Sequence, residues 1–168
     1  MLKHDDSCAE WERRRLEALY RLNILDTPPE ARFDTLVHMV ARTFEVPIAM
    51  ISLVDERRLW FKARVGLEER EYPRENSLCA QAIHEQAIMV VENTVNDARF
   101  ADTKMVTGKP AVRFYASVPL HSLSRLPLGT LCIFDTQPRR FSHRSRTLLI
   151  DLAGIVSREL THDFLPKT

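Results

Sequence analysis

Glycine is scarce in this chain, four residues in 168, and cysteine scarcer still at three. No G-x-G-x-x-G, P-loop or G-x-S-x-G string occurs, so phosphate cradling by a glycine loop and serine hydrolysis are both unsupported. Cys8, Cys79 and Cys132 stand far apart with no C-x-x-C pair. That excludes a disulfide framework and a zinc knuckle and implies reduced thiols. The six histidines share no metal-ligand spacing, and His84-Glu85 fails as a zinc-protease start because Ile88 stands where the second His belongs. An excess of either charge is also missing, with 24 Lys plus Arg against 23 Asp plus Glu. The only basic clusters are Arg13-Arg14-Arg15 and Arg139-Arg140, so the basic face that nucleic acid requires is not present. Long apolar runs are lacking too, and the charged start, Met1 to Asp6, is no signal segment. The expectation is a cytoplasmic protein with no membrane insertion, no nucleic-acid partner, no metal and no catalytic constellation; the cofactor is unknown.

What the chain does contain is an ordinary globular composition, 45% hydrophobic and 28% charged, at a length that suits one domain over residues 1–168. A first helix is expected over Cys8 to Asn23, with Leu16, Leu19 and Tyr20 at helical spacing. Thr27, Pro28 and Glu30 read as N-cap, first turn and capping box of a second helix, whose face carries Phe33, Leu36, Val37, Val40 and Phe44. The period then changes to two. Pro47 to Val54 is a nearly continuous apolar run that reads as a central strand covered on both sides. A turn at Asp55 to Arg58 leads into a partner strand in which Leu59, Phe61, Ala63 and Val65 form one face against Trp60, Lys62 and Arg64 on a mixed one. Ser77 caps a short helix, Ile88 to Val91 is a short strand, and residues 93–111 form a polar connection long enough to suggest a function. Arg113 to Leu120 and Leu128 to Asp135 read as an antiparallel pair. A last helix follows Ser142 with Leu149, Leu152, Ala153, Val156 and Leu160 on one stripe, widened by Leu148 and Ile155. This order suits an α/β domain with an antiparallel sheet rather than βαβ units.

Six segments together resemble the GAF domains found near the N-terminus of bacterial histidine kinases and diguanylate cyclases: Arg21 to Glu30, Trp60-Phe61-Lys62-Ala63, Ser77 to Ile83, Asp97-Ala98-Arg99-Phe100, Arg113-Phe114-Tyr115-Ala116, and Leu128-Gly129-Thr130-Leu131-Cys132 with Asp135, Pro138 and Arg139. The resemblance implies a core over about residues 20–160 and a six-stranded antiparallel sheet. It places the terminal helices on one face, as a dimer or output surface, and a ligand pocket on the other under the short helix and long loop. It implies a non-catalytic sensory or regulatory role in bacterial signal transduction, including two-component and cyclic di-GMP systems, with a small-molecule ligand of unknown identity. The Asn-Lys-Phe-Asp-Glu set of cyclic-nucleotide-binding members is not found, and Cys79 is followed by Ala80 rather than the His of bilin-attaching members.

Pocket candidates on this reading are Trp60, Cys79, Ile83, Asp97, Arg99, Phe100, Tyr115, Ser117 and Cys132. Each has a plainer alternative. Asp97 and Arg99 either grip a polar ligand or pair with each other; Trp60 either stacks on a ligand or makes a cross-strand contact. Tyr115 and Ser117 share one face of their strand and Phe114 and Val118 the other, and either set can line the pocket. Cys79 and Cys132 are either small buried residues or the thiols of a free methionine sulfoxide reductase, an activity one GAF branch possesses. A further alternative is a pure dimerisation module, a homodimer built on Leu16, Leu19, Leu148 and Ile155. An effector kinase or cyclase is the expected partner of a sensor.

Overall fold

The computed structural model describes residues 3–164. Its elements run α1 (Lys3–Arg21), α2 (Ala31–Phe44), β1 (Ile48–Val54), β2 (Arg58–Val65), β3 (Glu71–Pro73), α3 (Leu78–Ala82), β4 (Met89–Val91), α4 (Lys104–Thr107), β5 (Phe114–His121), β6 (Pro127–Asp135) and α5 (His143–Thr161), with single 3-10 turns at Thr94–Asn96 and His162–Phe164. The six strands form one sheet in the order β3-β2-β1-β6-β5-β4, every neighbouring pair antiparallel. Every residue of β1 and β6 is buried. The apolar run from Ile48 is thus the central strand its composition announced, with a layer on each face.

On one face lie α2, α5 and the C-terminal part of α1, packed through Leu19, Phe33, Val37, Val40, Leu149, Leu152 and Val156 against Ala49, Ile51, Leu53, Phe114, Val118 and Leu131. Each such burial is worth roughly 1.5–3 kcal/mol. Packing of this stripe therefore decides that α2 is helical, since a helix of 14 residues is marginal on propensity alone. Ser142 caps α5 by accepting from the Ser145 amide at 3.1 Å. On the other face α3, α4 and their connections cover Met50, Leu59, Phe61, Tyr115, Cys132 and Phe134.

Two local expectations fail, and for one shared reason. Strand β2 does not alternate as read. Its register against β1 passes from Ala63 opposite Ile51 to Phe61 opposite Ser52, so Lys62 is an extra, bulged residue. The bulge puts Trp60 and Ala63 with the long helices and Leu59 and Phe61 on the opposite face. It also aims Lys62, whose side chain is fully buried, at the segment before α2. There Nζ donates to Thr27 Oγ1 at 2.8 Å and to the Pro28 carbonyl at 2.9 Å, and pairs with Glu30 Oε2 at 2.5 Å. Thr27 and Pro28 therefore do not start the helix, and Glu30, instead of closing a capping box, stands at its N-cap position. All three are the acceptors of a buried ammonium, which cannot remain unpaired, and α2 begins at Ala31 with no side-chain cap.

The distal end of the sheet is closed by Arg139, which donates to Asp135 Oδ2 at 2.5 Å and to the Phe44 carbonyl at 2.8 Å, fastening the end of β6 to the end of α2. At the centre, β6 crosses β1 at Gly129. A Cβ there would lie 2.0 Å from the Ser52 carbonyl oxygen and 2.7 Å from Leu53 Cα. Gly154, on α5, has nothing within 4 Å of the same position. Gly129→Ala is therefore expected to lose about 3 kcal/mol or to fail to fold, whereas Gly154→Ala gains about 0.5–1 kcal/mol from helix propensity. Urea melts of the two variants side by side check both signs.

Candidate functional site

Beneath α3 the apolar layer is interrupted by a cluster of polar atoms. Ser52 on β1, Thr130 and Cys132 on β6 and Ser117 on β5 are neighbours in register, Ser52 opposite Thr130 and Ser117 opposite Cys132. Residues two apart on a strand share a face, so Tyr115 joins Ser117. The short helix α3, held at its start by Ser77, whose hydroxyl accepts from the Ala80 amide at 3.1 Å, lowers Cys79 onto this patch. The Cys79 sulfur lies 3.8 Å from the Cys132 sulfur and 3.6 Å from the Tyr115 hydroxyl. The hydroxyls of Ser52, Ser117 and Thr130 are buried without a hydrogen-bond partner. Hydrogen bonding from Cys132 lowers the Cys79 thiol below its ordinary range, against the cost of burial and with further help from the Tyr115 hydroxyl. Burial raises the Tyr115 hydroxyl and the Cys132 thiol well above theirs. Cys79 is thus the thiol of this cluster whose charged form is favoured.

The sequence-derived site residues divide into three groups. Cys79, Ile83, Phe100, Tyr115, Ser117 and Cys132 come together beneath α3 and the 93–111 segment, all nearly or wholly buried. Tyr115 and Ser117, not Phe114 and Val118, face this layer. Asp97 and Arg99 lie at its rim and pair with each other, at 3.0 Å from Nε and 2.7 Å from Nη2, which is the plainer of their two readings. Trp60 is displaced to the other side of the sheet by the bulge at Lys62 and does not reach the cluster. Of the proposed dimer residues, Leu19 is fully buried in the main core and is removed from any docking surface, Leu16 is half-buried, and Leu148 and Ile155 are exposed. A cleft of about 310 Å³ lined by Tyr72, Asn76, Ser77, Leu78, Lys104 and Met105 opens beside α3, one residue from Cys79.

A link that sequence reasoning missed is the path of α1. Its C-terminal part packs with α2 and α5, but its N-terminal part continues across the end of the sheet to the residues on either side of α3. Trp11 lies against His84 with ring centroids 5.1 Å apart, and Glu12 accepts from Arg74 at 2.5 Å and from Arg15 at 2.8 and 2.9 Å. The side chain of Arg15 is fully buried and also donates to the Pro127 carbonyl at 3.3 Å. Tyr20 donates to Asp55 at 2.8 Å in the turn between β1 and β2. The Ser52 and Thr130 hydroxyls were also missed, although each is a polar residue inside an apolar strand and so carried a readable signal. Among the described residues no cluster could hold a metal ion, and no helix is long and apolar enough to cross a membrane.

Comparison with known proteins places this geometry. The family model described as GAF domain matches residues 28–160. A cyclic di-GMP phosphodiesterase of Pseudomonas aeruginosa is 38% identical over 130 residues, which is 77% of this chain and 22% of that protein. The chain therefore spans about a fifth of the length of that curated relative. Among solved structures, the GAF domain of an Acinetobacter phosphoenolpyruvate-protein phosphotransferase superposes with a TM-score of 0.66 at 22% identity, covering 90% of this chain and 95% of that one. The free methionine-R-sulfoxide reductase of Neisseria meningitidis gives 0.66 at 18% identity, covering 95% and 94%. At these identities the two structures share the fold.

The polar tether of α1 has a titration of its own. Burial opposes ionisation of Glu12, yet hydrogen bonds from Arg15 and Arg74 outweigh it and hold the carboxyl at about 2. A depressed carboxyl contributes stability above its unfolded pKa, near 4.5, that is lost as pH falls toward about 2. Glu12→Gln is expected to cost about 2 kcal/mol at neutral pH, the low end for a buried pair because Glu12 keeps some solvent contact. The urea midpoints of variant and parent should converge as pH drops from 5 to about 2; a gap that persists unchanged in acid would mean that the carboxylate is not what anchors Arg15.

Proposed function

Because the chain belongs to the GAF domain family, we propose that it is a non-catalytic sensory or regulatory domain of a bacterial signalling protein, in which a small molecule bound under α3 and the 93–111 segment is reported through the terminal helices. The observation that carries this reading is the contact of α1 with the residues flanking α3, through Trp11 on His84 just after it and Glu12 on Arg74 just before it. A ligand that lifts or tilts α3 would move these flanking residues and so act on α1, the element that would carry the change to an effector. The 38% identity to a cyclic di-GMP phosphodiesterase supports an effector in cyclic di-GMP signalling, with a two-component kinase as the other class the resemblance suggests. The cytoplasm is the compartment in which such an effector acts.

A second reading, a dimerisation module without ligand, is favoured by one specific observation. The layer under α3 is filled by the chain's own side chains, with Tyr115, Phe100 and Cys132 all at 0% exposure, while α5 leaves Leu148 and Ile155 at 39% and 40%. These two residues, seven apart on one stripe, would meet their counterparts in a homodimer.

Native mass spectrometry of freshly purified protein separates the readings. A retained non-covalent mass supports the sensor. A bare dimer that Leu148→Asp with Ile155→Asp converts to monomer supports the dimerisation module. Consumption of free methionine sulfoxide by the reduced protein, abolished in Cys79→Ser, would overturn the non-catalytic assignment in both.

A further inference from the structure

Two thiols, a phenol and three partnerless hydroxyls form an unfavourable arrangement in a core, since a buried polar group without a partner loses its hydration and regains nothing. Packing does not require them, because apolar residues of the same volume would fill the same space. What the arrangement does supply is a nucleophile with its partner. Cys79 and Cys132 face each other at 3.8 Å, and the Tyr115 hydroxyl lies 3.6 Å from Cys79. Cys132 sits at the middle of β6, hydrogen-bonded across to β1 and β5 in register, and can move little. Cys79 sits on a helix of five residues, beside a cleft of about 310 Å³ that reaches its neighbour Leu78.

We propose that Cys79 and Cys132 are a reversible thiol–disulfide pair oxidised by small hydroperoxides, with Cys79 as the attacking sulfur and Cys132 as the resolving one. The inference stands whether or not a separate small molecule occupies this layer. The Cys79 sulfur attacks one oxygen of hydrogen peroxide, the O–O bond breaks, and the leaving hydroxide takes the thiol proton and departs as water, giving a Cys79 sulfenic acid. The Cys132 sulfur then attacks the Cys79 sulfur, the S–S bond forms as the S–O bond breaks, and the hydroxide leaves as a second water with the Cys132 proton. Two thiols and one peroxide become one disulfide and two waters; two electrons pass from sulfur to oxygen. A disulfide of about 2.05 Å requires the sulfurs to close from 3.8 Å. Because β6 is fixed at the centre of the sheet, the closure has to be made by α3, and the turn that follows α3 holds His84 against Trp11. Oxidation thus pulls on the same contact to α1.

The exposed Cys8 is replaced by Ser, and the folded protein is treated with hydrogen peroxide, unfolded in the presence of an alkylating agent and mapped without reduction. The expected result is loss of both remaining thiols, a tryptic peptide pair joined through Cys79 and Cys132, and recovery of both thiols with dithiothreitol. In Cys132→Ala, dimedone should label Cys79 as a trapped sulfenic acid, and in Cys79→Ala it should leave Cys132 unlabelled; circular dichroism establishes that both variants are folded. Two free thiols after a peroxide dose that oxidises Cys8 in the parent protein would overturn the proposal. So would a link that forms only when peroxide is added in urea, or dimedone labelling confined to Cys132.

Discussion

β1 and β6 have no exposed residue on either face, and this double burial governs what surrounds them. A sheet covered on both sides needs apolar surface from two independent layers. One is supplied by the long helices α2 and α5 and the end of α1, whose stripes are continuous enough to cover five strands. The other is made from pieces: a five-residue helix, a four-residue helix and the connection between them. Pieces of that size are not stable alone, so they hold their place only through the side chains they lower onto the sheet, Leu78, Cys79, Ile83, Phe100 and Met105 among them. The layer with the least independent stability is therefore also the one that contains the polar cluster.

Double burial also explains why the segments that carry the family resemblance meet in space. The Lys62 bulge of the Trp60 to Ala63 segment is neutralised by Thr27, Pro28 and Glu30 of the Arg21 to Glu30 segment. Cys79 of the third segment meets Tyr115 of the fifth and Cys132 of the last. Gly129 lets β6 approach β1 where any side chain would strike the Ser52 carbonyl, and Arg139 fastens the same strand to the end of α2. Each short string looks arbitrary by itself. In the fold, most are the two halves of a contact that a buried charge, a close approach or a short helix makes obligatory.

That pairing sets how much could be read from the chain. Periodicity gave α2, β1, the β5–β6 pair and α5, and side-chain capping gave the starts of α3 and α5, because those signals are local. The start of α2 was misread because Thr27-Pro28-Pro29-Glu30 satisfies a capping pattern locally while its acceptors are claimed by a lysine 32 to 35 residues further on. The same lysine defeated the reading of β2: a bulge inserts one residue, and one residue exchanges the faces, which is how Trp60 left the cluster and joined the main core. Leu19 was misplaced because one turn of α1 carries both a buried leucine and exposed charges, and only the crossing of α1 over the sheet end decides which is which. The cluster beneath α3 was nearly complete in the sequence reading; what it omitted were two hydroxyls hidden inside apolar strands.

The crossing of α1 also determines where a change beneath α3 can travel. To reach α5, a displacement of Cys79 or Ile83 has to pass through a sheet whose central strands are paired on both edges and packed on both faces, and such a layer transmits small shifts poorly because its neighbours are already in contact. To reach α1, it needs only to move His84 and Arg74, which lie at the ends of the segment carrying α3 and touch Trp11 and Glu12 directly. Glu12 in turn holds Arg15, and Arg15 is buried against the first residue of β6. A buried guanidinium in that position depends on its carboxylate, because loss of the partner would leave an uncompensated charge. The N-terminal helix is thereby fastened by a buried ion pair whose second arginine, Arg74, comes from the side of the sheet that holds the thiols.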